Sequence, residues 1–152
     1  MEVTPQQLSL SNQPFSVPFN IKNSGYLSFF VDHVICFIVN TETIQGAHFA
    51  GIIFQHPDWD GVTLDRGISG TMSCSMYGQD IGGAHGHGDT PKSADIVMAV
   101  TYRPWQGFPY LFRKHFGFRG LHGDTWQWTS YPPSQQLKDK IDAEINSKLR
   151  VN

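Results

Sequence analysis

At 152 residues and 17.1 kDa the chain is the size of one domain, and two separate cores would be crowded. Hydrophobic residues make up 39% and charged residues only 16%, which excludes a disordered, charge-rich chain. A net charge of −2 with pI about 6.3 provides no basic excess for a nucleic-acid backbone, so nucleic acid is not an expected partner.

Fifteen Gly and nine Pro scatter turns along the chain, and the composition predicts a mainly β protein. No apolar run reaches the roughly 20 residues that span a bilayer. The first residues lack the basic-then-apolar pattern of a signal peptide, so the chain reads as soluble with its location open. Residues 1–12 read as a loosely held arm.

The first element is a strand over 15–22, where Phe15, Val17, Phe19 and Ile21 alternate with polar residues. Pro18 cannot donate to a ladder, which predicts an edge position, and Asn23-Ser24-Gly25 predicts a hairpin into the next strand. That strand, 26–39, is apolar on both faces apart from Ser28, Asp32 and His33, the pattern of a central strand bulged near Asp32. Asp32 and His33 read as a satisfied polar pair at the bulge, with an acid–base pair as the alternative.

Further strands are predicted over 47–55, 69–77, 96–102, 110–118 and 125–131. The segment Asp58-Trp59-Asp60-Gly61 between the first two of these reads as a surface turn, because it lacks the acidic pattern of a calcium loop. Cys36 and Cys74 each lie inside an apolar run and read as two buried thiols, with a single disulfide as the alternative. At the C-terminus, Leu137, Ile141, Ile145 and Leu149 recur every four residues behind Ser134, predicting an amphipathic helix over 134–149 laid on the sheet. The whole chain, 1–152, is thus expected to be a single β-sandwich of seven to nine strands with one C-terminal helix.

Two loops carry the residues with chemistry. In Gly82-Gly83-Ala84-His85-Gly86-His87-Gly88-Asp89 two imidazoles and a carboxylate are spaced for a common metal. Either His122 and Asp124 or His56 and Asp58 would complete the site if the loops meet, and the set taken forward is His85, His87, Asp89 and His122 around zinc or another divalent ion. The run is similar to the first ligand run of metallo-β-lactamase-like hydrolases, His-x-His-x-Asp-His, with Thr90 in place of the last His. A Gly-rich loop that carries histidines without a metal is the simpler alternative.

The second loop follows Pro104. Between Trp105 and Tyr131 stand nine aromatic residues, with Arg103, Arg113, Lys114 and Arg119 before or among them. Flat rings beside guanidinium groups can seat a sugar, stack a base, rest among lipid headgroups or take a choline-type cation. Filling of the sandwich core by alternate aromatics is the competing explanation, with Trp105 and Tyr110 as the residues placed to be exposed.

The order of these features resembles a family. A Gly-x-x-Gly-Thr strand beginning at Gly67, a loop, and an apolar strand ending in Tyr102, Arg103, Pro104 and Trp105 are similar to the actinoporin-like cytolysin and lectin β-sandwiches. The resemblance covers residues 67–118 and implies a phosphocholine or glycan pocket at Pro104, Trp105 and Tyr110. It departs in having its clear helix at the C-terminus rather than before the first strand. The sequence therefore predicts a non-enzymatic module binding a glycan or lipid headgroup through Arg103, Pro104, Trp105 and Tyr110. A self-assembling homo-oligomeric subunit and a small metal-dependent hydrolase are the alternatives.

Overall fold

The computed structural model describes residues 1–6, 18–74, 91–124 and 126–149. In chain order the strands are β1 (Glu2–Pro5), β2 (Pro18–Lys22), β3 (Phe29–Thr43), β4 (His48–Phe49), β5 (Ile52–His56), β6 (Val62–Leu64), β7 (Ser69–Ser73), β8 (Pro91–Arg103), β9 (Phe112–His122) and β10 (Trp126–Tyr131), followed by helix α1 (Gln135–Leu149). They form two antiparallel sheets. The smaller has the order β1-β2-β7, and the larger runs β10-β9-β8-β3 with β4, β5 and β6 all paired to the free side of β3. Those three segments follow one another back along β3, from Thr41↔Phe49 to Phe29↔Leu64, and serve as one interrupted edge strand.

The long strands β3 and β8 are apolar on both phases because both of their faces are covered. One face, with Val34, Cys36, Ile38, Ile96, Met98 and Val100, meets Phe19, Ile21 and Met72 of the small sheet in the main core. The opposite face, with Ile35, Phe37, Val97 and Ala99, is covered by Ile141 and Ile145 of α1, with Leu137 packed at the margin. The Ser134 hydroxyl accepts a hydrogen bond from the Leu137 amide at 3.3 Å, so the helix starts at its predicted cap. Trp59, from a short 3-10 turn at Pro57–Trp59, enters the main core. A Cβ on Gly70 would lie 2.6 Å from its ring, so β7 requires glycine at that point.

Four sequence expectations are corrected. The strand β2 is central in its sheet rather than at an edge; Pro18 is tolerated as its first residue, where no ladder donor is lost. Asn23-Ser24-Gly25 does not close a hairpin, because β2 pairs with β1 and β7 while β3 belongs to the other sheet. Part of the expected arm is ordered: Glu2–Pro5 pairs with β2, and Val3 is buried. Cys36 and Cys74 are not two thiols but a disulfide, with Cα atoms 5.7 Å apart and both side chains fully buried between the sheets. The bulge near Asp32 is present as a register shift between Val31 and His33.

Candidate functional site

One end of the sandwich is built from three loops. The pairs Phe29↔Leu64 and Phe30↔Arg103 place the start of β3 beside the ends of β6 and β8. Tyr102↔Phe112 and Lys22↔Ser69 add the starts of β9 and β7. Residues 23–28, 65–68 and 104–111 therefore emerge together.

Asn23 ties the first two loops. Its side chain is buried; Nδ2 donates to the carbonyls of Leu27 and Leu64, each at 2.9 Å, and Oδ1 accepts from the Gly25 amide at 2.9 Å. Its backbone amide donates to the Ile68 carbonyl, and its carbonyl accepts from the Gly67 amide. The segment 26–28, expected to be strand, is curled outward by these bonds and projects Tyr26 and Leu27. The Arg66 guanidinium lies over the Tyr26 ring, 5.2 Å from its centroid.

The third loop is held by Arg103. Its guanidinium donates to the Phe108 carbonyl at 3.0 Å and to the Asp32 carboxylate at 2.5 Å. The turn closes with Phe108 N–H donating to the Trp105 carbonyl. Gly107, with φ of 88°, takes the left-handed conformation that other residues adopt only at a cost. Five rings then run from the core to the tip: Phe29 to Tyr102 at 5.4 Å, Tyr102 to Phe112 at 5.9 Å, Phe112 to Phe108 at 6.4 Å, and Phe108 to Trp105 at 4.6 Å between centroids. Tyr110 meets Phe108 from the side at 5.9 Å.

This array leaves apolar surface in water. Of the nine large apolar side chains exposed among the described residues, seven belong to this end: Tyr26, Leu27, Ile68, Trp105, Tyr110, Leu111 and Phe112. Trp105 and Tyr110 were the residues expected to be exposed, and at 60% and 69% they are. Pro104 is half-buried. Arg103 lies mostly inside, engaged as the strut of the turn. Sequence reasoning missed Tyr26, Leu27, Ile68 and Arg66. The signal was present in the turn chemistry of Asn23-Ser24-Gly25, but not the partner loop that meets it.

The proposed metal set is represented only by His122, because His85, His87 and Asp89 lie outside the described residues. The His122 ring is half-buried and stacked on Trp126 at 5.2 Å. Among the described residues, no three His, Cys, Asp or Glu side chains are grouped to hold a metal ion.

Asp32 and His33 form the polar interruption of β3. His33 Nδ1 lies 3.7 Å from Asp32, and its buried Nε2 has no hydrogen-bond partner. Burial holds the His33 imidazole below its ordinary range, while Asp32 pulls in the other direction. The Asp32 carboxylate is thus engaged by Arg103 and serves the turn, whereas the buried His33 Nε2 is left without a partner; the bulge holds an Asp32–Arg103 pair rather than the satisfied Asp32–His33 pair that the sequence suggested.

No family model, curated protein or solved structure matches this chain. Among the described residues, no helix is long and apolar enough to cross a membrane.

Proposed function

We propose that this chain is a non-enzymatic binding module that recognises a glycan or a lipid headgroup through the aromatic turn at Trp105, Phe108 and Tyr110. The observation that carries this reading is the state of those rings. They are held in place by Arg103 and by one another, yet Trp105 and Tyr110 remain largely in water. Fixed, exposed rings lose little conformational entropy on binding, which is what an aromatic recognition surface requires. Arg103 supports the site by positioning the turn, and Pro104 by directing the chain out of β8. The same Pro104, Trp105 and Tyr110 are the positions that the resemblance to actinoporin-like sandwiches points to.

The double variant Trp105→Ala/Tyr110→Ala tests the reading on a glycan array and on phosphatidylcholine vesicles. The expected result is loss of binding with an unchanged circular dichroism spectrum. Binding equal to that of the unaltered protein removes the aromatic turn as the recognition element.

A further inference from the structure

We infer that Asp32 and His33 act as an acid-sensitive latch on the aromatic turn, in which protonation of His33 draws the Asp32 carboxylate away from Arg103 and frees the segment that carries Trp105; this rests on the preceding reading of that turn as a binding element.

Asp32 stands between two basic side chains and saturates neither. Its Oδ1 accepts from Arg103 Nη2, while its Oδ2 lies 3.7 Å from His33 Nδ1, too far for a hydrogen bond. An arginine fork commonly takes both oxygens of a carboxylate, yet Arg103 Nε is buried without a partner, as is His33 Nε2. A small turn of the carboxylate therefore strengthens one contact at the expense of the other. The backbone of Asp32 also lies outside the regular ladder, because the register passes from Val31↔Tyr102 to His33↔Thr101.

The charge on His33 decides between the two arrangements. With the imidazole neutral, Arg103 is the cation that Asp32 serves. A protonated ring donates a charge-assisted bond from Nδ1, and two cations then compete for one carboxylate. The other neighbours do not relieve the competition. Arg113 faces His33 from β9 with a positive charge and is engaged by the Thr101 hydroxyl at 3.0 Å and by Asp142 of α1, which His115 shares. Asp60 favours the imidazolium by its charge, but its Oδ2 accepts from the Gln55 amide of β5. Among the described residues, Asp32 is the carboxylate that meets His33 as an ion pair. Burial holds His33 below its ordinary range, so the change belongs to acid rather than neutral solution.

Arg103 carries the change to the loop. The same guanidinium donates through Nη1 to the Phe108 carbonyl at 3.0 Å, and the turn's own bond runs from Phe108 N–H to the Trp105 carbonyl. Trp105 and Tyr110 both pack against Phe108, so loosening Phe108 reaches both exposed rings. Mobile rings lose more entropy on binding than fixed ones, and the acid form is the weaker binder.

Fluorine NMR of protein labelled with fluorotryptophan follows Trp105 without any ligand, because the chain has four tryptophans and Trp105→Phe assigns the signal. From about pH 7.5 to about pH 4.5 the Trp105 signal is expected to shift toward that of the unfolded chain, with a midpoint below the ordinary 6.5 of histidine and an unchanged circular dichroism spectrum. His33→Gln, which cannot take the proton, is expected to lose the transition. Asp32→Asn is expected to bring the Trp105 signal close to its acid position already at neutral pH. A Trp105 signal that stays constant over this range in the unaltered protein overturns the inference, as does a transition that persists in His33→Gln. Should that variant fail to fold, a neutral-pH Trp105 signal left in place by Asp32→Asn overturns it equally. Binding to the glycan array and to phosphatidylcholine vesicles reads the preceding proposal separately. A Trp105 transition, with binding that survives in Trp105→Ala/Tyr110→Ala, keeps the latch and removes the turn as the recognition element. Binding lost in that variant, with a Trp105 signal indifferent to acid, keeps the recognition element and removes the latch.

Discussion

Asn23 is the residue on which the exposed end depends. One buried amide satisfies two carbonyls and one N–H from segments separated by 41 positions in sequence at their widest, and neither alanine nor aspartate reproduces two donors beside one acceptor. Asn23→Ala is expected to lower stability by about 2–4 kcal/mol, from lost bonds of roughly 1 kcal/mol each plus carbonyls left without partners; urea unfolding checks it. His33 makes a second residue-scale prediction. Burial holds its folded-state pKa below the ordinary 6.5, so below that value the unfolded chain binds the extra proton more readily and stability falls as pH falls. The contribution is complete above about pH 6.5 and is lost on descending through the folded-state value. Asp60, whose carboxyl is raised by burial, works in the opposite sense, because the folded state takes up its proton first. The comparison is therefore between the unaltered chain and His33→Leu, unfolded in urea at neutral pH and at about pH 5.5; the substitution is expected to remove part of the acid sensitivity, and identical pH slopes would rule His33 out. The exposure of Trp105 and Tyr110 was legible because a turn motif and a break after Pro104 locate a loop tip. Asn23 was visible as a turn former, but its role was not, since its partner Leu64 is brought to it only by the pairing of β6 with β3.

At the scale of elements, α1 shows which interactions hold a layer. Ile141 and Ile145 are buried against Ile35, Phe37, Val97 and Ala99, while Asp142 accepts a hydrogen bond from Arg113 Nη1 at 2.9 Å and lies 2.9 Å from His115 Nε2. Removing a fully buried isoleucine side chain costs about 2–5 kcal/mol. A partly exposed ion pair is screened and contributes about 1 kcal/mol or less, although His115 is itself mostly buried. Ile141→Ala is therefore expected to destabilise the protein more than Asp142→Ala, as read from denaturant midpoints; the reverse order would make the ionic clasp the main anchor. The helix was legible because its apolar residues recur at a spacing that only a helix aligns, and the strands because they either alternate in twos or, like β3 and β8, contain runs apolar on both phases. The sheet assignment of β2 was not. Whether a turn joins neighbours in one sheet or crosses between sheets depends on long-range pairing, and Asn23-Ser24-Gly25 has the same local chemistry in either case. Pro18 misled for a related reason: a missing donor forbids a position inside a ladder but not its first residue.

On the scale of the whole molecule, the two sheets are joined covalently once, at Cys36 in the middle of β3 and Cys74 just after β7. The sequence showed two cysteines in apolar runs, and burial is common to a packed thiol and a packed disulfide, so the pairing became visible only when both residues faced the same inter-sheet space. The bond closes a chain segment with a sequence separation of 38. Restricting the unfolded chain over a loop of that length is worth about 4 kcal/mol in the chain-entropy account, a large share of the roughly 5–15 kcal/mol that holds a domain folded. The small sheet has most to lose, because β2 and β7 reach the rest of the molecule through Phe19, Ile21 and Met72 in the main core and through this bond. Oxidation therefore supports the same framework that positions the three loops: β7 begins at Ser69, directly after the Arg66–Ile68 turn. The expected outcome is no titratable thiol in the denatured, unreduced protein. Cys36→Ala/Cys74→Ala should have a lower denaturant midpoint, with vesicle binding falling only where the variant begins to unfold. Two free thiols in protein matured under oxidising conditions, or an unshifted midpoint, would mean that packing alone joins the sheets.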